Sequence, residues 1–252
     1  MEGEDRTMSG EDRTLSEQNR TLSTVLITGA NRGIGLELVR QYAAAGWMVV
    51  ATCREPASAR ELHGMARERP GMIEVLPLSV TEPEEIEALP GKLGDQPLHL
   101  LVNNAGLRPR EASVLGSVDP AAFMEAMRVN ALGALKVTEA LLPNLQGGER
   151  PLVVMMSSSL GSLARNQEGG DYGYRAGKAA MNAVMRSLAV DLKPLGITVI
   201  SLHPGWVRTR MGGSHARLSV EESVTAMRSV LDQVSPDDTG KFLRHDGREE
   251  PW

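Results

Sequence analysis

The 252-residue sequence has little cysteine and few aromatic residues: Cys53 is its single cysteine, and Phe, Trp and Tyr together make up 3% of the chain. A single cysteine cannot form an internal disulfide, and no apolar signal core is found near the N-terminus. No run of about 18 apolar residues is present, as a membrane span requires. The net charge of -5 lacks the basic excess that non-specific nucleic-acid binding needs. We therefore expect a cytoplasmic protein with no nucleic-acid partner and no membrane span.

The first 23 residues contain three similar heptads, which begin at Gly3, Gly10 and Glu17. Each heptad holds only one large apolar residue, which is too few for the paired seam of a coiled coil. We expect residues 1–23 to form a disordered tail, and a short docking or regulatory segment is the alternative.

From Thr24 onward, apolar runs alternate with helical patterns, which favours right-handed crossovers and a parallel sheet. A chain of this length with 41% hydrophobic residues can bury one large core. The pattern therefore predicts one doubly wound α/β domain, with a mainly parallel sheet and helices on both faces. The predicted strands are 24–28, 47–52, 73–78, 98–103, 152–157 and 197–202. The predicted helices are 33–45, 57–69, 83–89, 120–142, 172–192 and 220–233.

The turn after the first predicted strand contains Gly29, Gly33 and Gly35, and a helix follows it. Glycines at such a turn let backbone N–H groups approach a pyrophosphate at the helix N-terminus. The spacing is Gly-x3-Gly-x-Gly rather than Gly-x-Gly-x2-Gly, and any strand-to-helix turn can use glycine for purely structural reasons. Since the strand and the helix are both in place, we interpret the turn as a dinucleotide site.

Arg54 follows the second predicted strand, where an NAD-selective site usually carries an acidic residue for the ribose 2′-hydroxyl. Arg32, inside the glycine turn, can reach the same position. Two guanidinium groups suit a 2′-phosphate dianion, which indicates NADP(H). The alternative is two solvated surface arginines.

Tyr174 and Lys178 stand four residues apart in a predicted helix, so their side chains share a face. At about 4 Å and an effective dielectric constant near 20, the ammonium favours the phenolate by on the order of 4 kcal/mol. We therefore expect Lys178 to lower the pKa of Tyr174, which would let the tyrosine exchange a proton at physiological pH. The alternative is a half-exposed tyrosine beside a solvated lysine. Tyr172, with Ala176 four residues later, is the weaker candidate.

These features, with Asn103 to Gly106 after the fourth predicted strand, resemble the short-chain dehydrogenase/reductase family from about Thr24 to the C-terminus. Segments 203–209, 211–213 and 246–252 look like its C-factor-like carbonyl reductase branch. The resemblance implies a Rossmann domain over residues 24–252 and NADP-linked reduction of a small-molecule carbonyl compound. Some relatives in that branch are associated with intercellular signalling, so an NADP-binding sensor with little turnover is the alternative.

The resemblance also implies four catalytic residues. Tyr174 would donate a proton, Lys178 would favour its ionised form and bind the nicotinamide ribose, and Asn130 would hold a water that connects Lys178 to solvent. Ser158 would orient the substrate oxygen.

Ser157, Ser158 and Ser159 are adjacent, and Ser158 is preferred because it precedes Gly161 by three residues. The stretch from the serine to the tyrosine is longer than is typical, owing to a polar insert at 166–171. The alternatives are an ordinary serine cluster at a strand end, and for Asn130 an amide satisfied in a helix core.

The cofactor-binding residues that the turn and the resemblance indicate follow several strands. They are Gly29, Asn31, Arg32, Gly33, Ile34, Gly35, Arg54, Ser79, Val80, Asn104, Ala105, Gly106, Tyr174, Lys178, Pro204, Gly205, Val207 and Thr209. Ser79 stands where the family commonly places an aspartate against the adenine, and a serine offers no charge there. We assign no metal ligands.

Six arginines are predicted on the rim of an open cleft: Arg108, Arg110, Arg165, Arg208, Arg210 and Arg217. They form either a solvated rim or a field that attracts acidic carbonyl substrates.

Helices 120–142 and 172–192 carry apolar residues on more than one face, namely Phe123, Met127, Leu135, Met181, Val184 and Met185. Family members commonly pair these helices across a two-fold axis. We therefore expect a homodimer, or a homotetramer that contains it.

Overall fold

The computed structural model describes residues 22–252, so all but the last two residues of the predicted tail lie outside the described residues. A seven-stranded parallel sheet runs through this part of the chain in the order β3-β2-β1-β4-β5-β6-β7. Its strands are β1 (Thr24–Ile27), β2 (Met48–Cys53), β3 (Ile73–Pro77), β4 (Leu100–Asn103), β5 (Leu152–Met156), β6 (Thr198–His203) and β7 (Phe242–Arg244). The order reverses between β1 and β4, as in doubly wound folds.

The first six strands confirm the predicted ones to within two residues at each end. They are readable because a parallel strand buried on both faces appears as a nearly continuous apolar run. All four residues of β1, for example, are buried. The edge strand β7 was not predicted, since three residues are too few to show a pattern.

Helices cover both faces of the sheet. They are α1 (Gly33–Ala44), α2 (Arg60–Glu68), α3 (Pro83–Glu87), α4 (Leu89–Leu93), α5 (Pro120–Met127), α6 (Gly133–Ala140), α7 (Leu142–Gly147), α8 (Tyr172–Leu192) and α9 (Val220–Leu231). Buried residues of α1, α2 and α9 form one core, and those of α3, α4 and α6 to α8 form the other. Within the described residues, none of these helices has the length and apolar character needed to cross a bilayer.

The predicted helix 120–142 is interrupted. Asp119 caps α5 by accepting a hydrogen bond from the Ala121 N–H at 2.8 Å, and Pro120 occupies the first turn. A π-helical turn, Arg128–Leu132, then separates α5 from α6. Such turns are frequent at functional sites, and this one contains Asn130.

Two glycines let α8 approach α5 and the π-helical turn closely. A Cβ atom built on Gly173 would lie 2.8 Å from the Ala112 Cβ atom. One built on Gly177 would lie 3.0 Å from the Ala126 carbonyl oxygen and 3.0 Å from the Asn130 amide nitrogen. Both distances are too short for an ordinary contact, so this helix pair depends on glycine at these positions.

The apolar residues that lie on more than one face of these helices are in part covered by the protein's own core. Val184 packs against the protein's own core, and Met181 and Met185 are fully buried in it. The two methionines face the sheet because they lie one turn apart on the inner side of α8. The large apolar side chains that are exposed in this region are Met124, Leu132 and Val190.

Replacing Gly177 by alanine should destabilise the protein by about 1–3 kcal/mol, because the new methyl group has no room against Ala126 and Asn130. Helix propensity alone predicts the opposite sign. Gly64→Ala is the matched control: Gly64 lies inside α2 with open space around it, so alanine should stabilise by about 0.5–1 kcal/mol. Urea unfolding of both variants measures the difference. A Gly177→Ala variant as stable as Gly64→Ala would contradict the packing described above.

Candidate active site

The predicted site residues all lie on the turns at the carboxyl-terminal edge of the sheet or on the helices beside it, where doubly wound folds bind ligands. The turns after β1 and β4 are adjacent because these two strands are neighbours in the sheet.

The glycine turn between β1 and α1 is tightly packed. Gly29 and Gly33 have positive φ angles of 65° and 56°. A Cβ atom on Gly35 would lie 2.5 Å from the Gly29 carbonyl oxygen, and one on Gly29 would lie 3.0 Å from the Ala105 Cα atom. At the start of α1, Arg32 forms no side-chain cap and the first turn carries no acidic residue. The turn therefore presents uncapped backbone N–H groups, as a phosphate site does, with Asn31 and Ile34 half-buried in it.

Thr28 and Asn104 hold this turn against β4. The Thr28 hydroxyl oxygen accepts hydrogen bonds from the backbone N–H groups of Asn104 and Ala105, both at 3.0 Å. The Asn104 side chain donates to the carbonyl oxygens of Thr28 at 2.8 Å and Gly29 at 3.1 Å. Asn104 thus braces the glycine turn, and Thr28, absent from the predicted site, is part of the brace.

Arg32 and Arg54 come close together, as expected, and Arg210 joins them. Burial, followed by the positive charges of Arg210 and Arg54, lowers the pKa of Arg32. Three guanidinium groups that repel one another fit a polyanion such as a phosphate. Arg210 was predicted only as a rim residue, because its proximity to Arg32 arises from the loop that follows β6.

Ser79 and Val80 follow β3. The Ser79 N–H donates to Glu85 Oε2 at 2.6 Å, and its hydroxyl shares a hydrogen bond with the Thr81 hydroxyl at 3.2 Å. Val80 packs closely on α6, since a Cβ atom on Gly133 would lie 2.6 Å from the Val80 carbonyl oxygen.

Tyr174 and Lys178 lie on α8 and are both buried, with 8% and 3% of their surfaces exposed. Lys178 Nζ donates to the Met156 carbonyl oxygen at 2.7 Å and lies 5.9 Å from the Tyr174 ring centroid. Burial lowers the pKa of Lys178 to about 7 and raises the pKa of Tyr174. The expected net lowering of the Tyr174 pKa by Lys178 is thus not seen. Both groups are removed from water, and desolvation disfavours each charged form.

Ser158 is the serine that faces Tyr174. A hydrogen bond from Ser158 lowers the pKa of Tyr174, against the larger effect of burial. Ser157 points to the opposite side and donates to the Asn182 side-chain oxygen at 2.7 Å. Ser159 begins a short 3-10 turn, whose Leu160 N–H donates to the Ser158 hydroxyl oxygen at 3.2 Å.

Asn130 is fully buried, and its side-chain amide both accepts a hydrogen bond from Leu107 and donates one to it. Its Oδ1 accepts from the Leu107 N–H at 2.9 Å, and its Nδ2 donates to the Leu107 carbonyl oxygen at 2.8 Å. A Cβ atom on Gly106 would lie 3.2 Å from Asn130 Oδ1 and 3.5 Å from Lys178 Nζ. The structure thus brings Asn130, Gly106 and Lys178 together.

The loop after β6 folds back over the glycine turn. The Ser223 hydroxyl of α9 donates to the Pro204 carbonyl oxygen at 2.6 Å. Gly205 has a φ of 83°, and a Cβ atom there would lie 3.0 Å from the His245 ring. Val207 forms an isolated bridge with Leu218. Thr209 faces the turn, since its methyl group would lie 3.5 Å from a Cβ atom on Gly33.

Three of the six rim arginines are paired with carboxylates. Arg108 binds Asp171, with a shortest N–O distance of 2.6 Å, Arg165 binds the buried Glu250 at 2.7 Å, and Arg208 lies 3.7 Å from Glu222. The partners of Arg108 and Arg165 are far away in sequence, so composition could not reveal them. The pairing weakens the interpretation of the rim as a field for acidic substrates.

The C-terminal segment also reaches the rim, through a contact between residues far apart in the sequence. The Ala164 N–H donates to the Trp252 carbonyl oxygen at 2.8 Å, and the Trp252 ring centroid lies 5.6 Å from that of Phe242. Large apolar side chains are exposed on the loops after β4, β5 and β6: Val114, Leu115, Leu163, Trp206 and Met211.

Comparisons with known proteins agree with this geometry. The short chain dehydrogenase family model matches residues 23–217. The C-signal protein of Myxococcus xanthus is 44% identical over 156 residues, which cover 62% of this chain and 93% of that protein. The 1-hydroxy-2-glutathionyl-2-methyl-3-butene dehydrogenase of Rhodococcus is 32% identical over 236 residues, which cover 91% of this chain and 100% of that protein.

Two solved structures have the same fold. Carbonyl reductase Sniffer of D. melanogaster has a TM-score of 0.87 at 33% identity, covering 92% of this chain and 100% of its own. An NADPH-bound carbonyl reductase from chicken fatty liver has a TM-score of 0.86 at 34% identity, and the match covers 92% of this chain and 99% of that chain. The expected C-factor-like, carbonyl reductase-like branch is thereby confirmed. With the matched family model, the parallel sheet and the glycine turn, these likenesses show that the chain belongs to the short-chain dehydrogenase family of oxidoreductases.

Proposed function

We propose that this protein is an NADPH-dependent reductase of aldehydes or ketones in which Tyr174 is the general acid. The observation that carries the proposal is the burial of Ser158, Tyr174 and Lys178 together beside the glycine turn. The similarity to carbonyl reductases, one of them solved with NADPH, supports the same reaction.

The residues of the turn fit a dinucleotide. A side chain at Gly29 or Gly35 would collide with the backbone of the turn and of the loop after β4, so glycine there keeps the turn tight, and the start of α1 offers uncapped N–H groups. Arg32, Arg54 and Arg210 would hold the 2′-phosphate, whose two negative charges offset their mutual repulsion. Lys178, Pro204, Gly205, Val207 and Thr209 would border the nicotinamide end, where NADPH when bound supplies the hydride.

In the reaction, Tyr174 would donate its phenolic proton to the substrate carbonyl oxygen. The raised pKa of Tyr174 keeps the phenol protonated at neutral pH, as the reductive direction requires. Ser158 would hold the same oxygen by a hydrogen bond. The Asn130 side chain uses one lone pair of Oδ1 and one N–H of Nδ2 in its bonds with Leu107. The second lone pair and the second N–H would be left for a water that connects Asn130 to Lys178.

The rim of the cleft favours apolar carbonyl compounds. Leu163, Trp206 and Met211 are exposed on loops that border the predicted substrate side, whereas three of the rim arginines are neutralised by carboxylates. Burial of an apolar substrate against these side chains would contribute to binding in proportion to the area covered.

A second candidate function is that of an NADP-binding sensor or signalling protein with little turnover. The 44% identity to a protein named C-signal favours it. The enzyme is the stronger proposal, because a sensor needs the glycine turn but not the buried Ser158, Tyr174 and Lys178. A cytoplasmic location remains a prediction.

Tyr174→Phe should lower kcat by about 10²- to 10⁴-fold and leave NADPH binding nearly unchanged, since only the proton donor is removed. Tyr172→Phe is the control, because its ring lies two residues away on the same helix and should retain turnover. NADPH oxidation with a panel of aldehydes, diketones and quinones measures kcat, and NADPH fluorescence measures binding. Full activity of Tyr174→Phe would overturn the mechanism, and tight NADPH binding without turnover of any carbonyl compound would favour the sensor.

The kcat/KM for NADPH should exceed that for NADH, and Arg54→Ala should lower the NADPH value by about ten- to a hundredfold while sparing NADH. The reason is the loss of a charged hydrogen-bond donor to the 2′-phosphate. Arg248→Ala is the control, since that side chain is exposed on the C-terminal segment. Equal wild-type kcat/KM values for the two cofactors would refute the assignment.

We further propose that the protein forms a homodimer, or a homotetramer that contains it, through α5 and α8. Met124 on α5, Leu132 on the π-helical turn and Val190 on α8 remain exposed, and a second copy would cover them. Val190→Glu should reduce the mass measured by light scattering to that of a monomer, whereas the shape-matched Val190→Thr should not. Val184 is unsuitable for this test because it packs against the protein's own core. A wild-type monomer that is fully active at micromolar concentration would contradict the assembly.

A further inference from the structure

Arg108 and Asp171 form a two-pronged ion pair beside Tyr174. Arg108 Nε donates to Asp171 Oδ1 at 3.0 Å and Nη2 donates to Oδ2 at 2.6 Å. The guanidinium carbon of Arg108 lies 5.6 Å from the Tyr174 ring centroid. The mechanism described above uses neither residue.

Asp171 is held in a strained conformation. Its φ of 47° lies in the left-handed region, which residues other than glycine seldom adopt. Three contacts fix it: its N–H donates to the Ser113 carbonyl oxygen at 2.9 Å, its Oδ1 accepts from the Ser113 hydroxyl at 3.2 Å, and its carbonyl oxygen accepts from the Arg175 N–H at 2.8 Å. Backbone strain that neighbouring contacts maintain tends to occur at functional positions. Asp171 immediately precedes α8 and stands three residues before Tyr174.

Arg108 is tied to the catalytic residues through the backbone. It follows Leu107, whose N–H and carbonyl oxygen are both bonded to the Asn130 side chain. Asn130 therefore holds the backbone next to Arg108, and Asp171 holds the guanidinium through the ion pair. Because the Arg108 cation is already held in place, no reorganisation of this charge is needed when charge develops on the phenol.

Three charged groups face the Tyr174 phenol. Lys178 comes from its own helix, Asp171 from the residue before that helix, and Arg108 from the turn after β4. Arg175, also on α8, acts on Asp171 and lies 4.0 Å from Glu168. Since the pKa of Lys178 is about 7, its charge is only partly present at neutral pH, whereas the guanidinium of Arg108 is always charged.

We propose that Arg108 and Asp171 are a positioning pair that sets the charge around the Tyr174 phenol. Arg108 supplies a permanent positive charge that favours the phenolate left after proton donation. Asp171 holds the guanidinium over the Tyr174 ring, and its negative charge partly offsets the effect of the Arg108 charge on the phenol. The inference rests on the proposed function of Tyr174 as general acid and adds two residues that act through it.

The test is the pH dependence of kcat/KM for reduction of a neutral aldehyde, in the wild type and in R108M, D171N and the double variant. Reduction needs protonated Tyr174, so activity falls as pH rises through the pKa of the phenol. R108M removes the cation and should move this fall about one unit to higher pH. D171N leaves the cation unpaired and should move the fall to lower pH. The double variant should return close to the wild-type position.

R108K and R110M complete the design. R108K keeps the charge but loses the two-pronged geometry, so the fall should stay near the wild-type pH with a lower kcat. R110M is the control because Arg110, two residues away, forms no ion pair within the described part of the chain. Shifts of opposite sign in R108M and D171N support the proposal. Shifts of the same sign, or losses of kcat without a shift, mean a structural role only and overturn it.

A direct titration separates this proposal from the function on which it rests. The chain has three tyrosines, so the phenolate absorbance of wild type minus that of Tyr174→Phe reports Tyr174 without any turnover. The same subtraction in the R108M and D171N backgrounds should give midpoints displaced in opposite directions. If no carbonyl compound is reduced but the midpoints move as expected, the proposed function fails and the pair still acts on Tyr174. Unchanged midpoints overturn the pair.

Discussion

The close contact of α8 with α5 and the π-helical turn determines the geometry of the proposed catalytic residues. Gly173 and Gly177 face that contact, and neither has room for a side chain. Tyr174 and Lys178 are the next residues on the same two turns, so the approach of the helices also carries the phenol and the ammonium into the interior. The spacing of four residues therefore serves packing and chemistry at once, since residues four apart share a helix face.

Burial controls the charges of the site. Removing Lys178 from water lowers its pKa to about 7, and the same effect raises the pKa of Tyr174. Burial is not visible in the sequence, so the expected effect of Lys178 on Tyr174 left out the desolvation of both groups, which is the largest effect on each pKa. Fixed charges from other elements, above all Arg108, then matter more. At the cofactor end the opposite arrangement holds, because Arg32, Arg54 and Arg210 repel one another and a bound anion would stabilise all three.

The sequence predicted what local patterns determine. Six parallel strands were found because buried strands are apolar runs, and the glycine turn was found because its neighbours are a strand and a helix. The π-helical turn was not predicted, and neither were the hydrogen bonds that join its Asn130 to Leu107, which is 23 residues away. The ion pairs Arg108–Asp171 and Arg165–Glu250 were also missed. Contacts of this kind follow from the tertiary fold, and composition or periodicity does not contain them.

The alternation of side chains along an extended segment explains which of the three adjacent serines faces Tyr174. Side chains alternate across an extended segment, so Ser157 and Ser158 must face opposite sides at the end of β5. Ser157 turns to the interior, where the Asn182 side-chain oxygen accepts from it and from Ser201. Asn182 lies one turn beyond Lys178 on α8. The polar contact one helical turn from Lys178 therefore fixes the strand end, and with it the direction in which Ser158 points. Because the Ser157 hydroxyl anchors the strand to the helix, Ser158 is the neighbouring serine whose hydroxyl is left to bond with Tyr174.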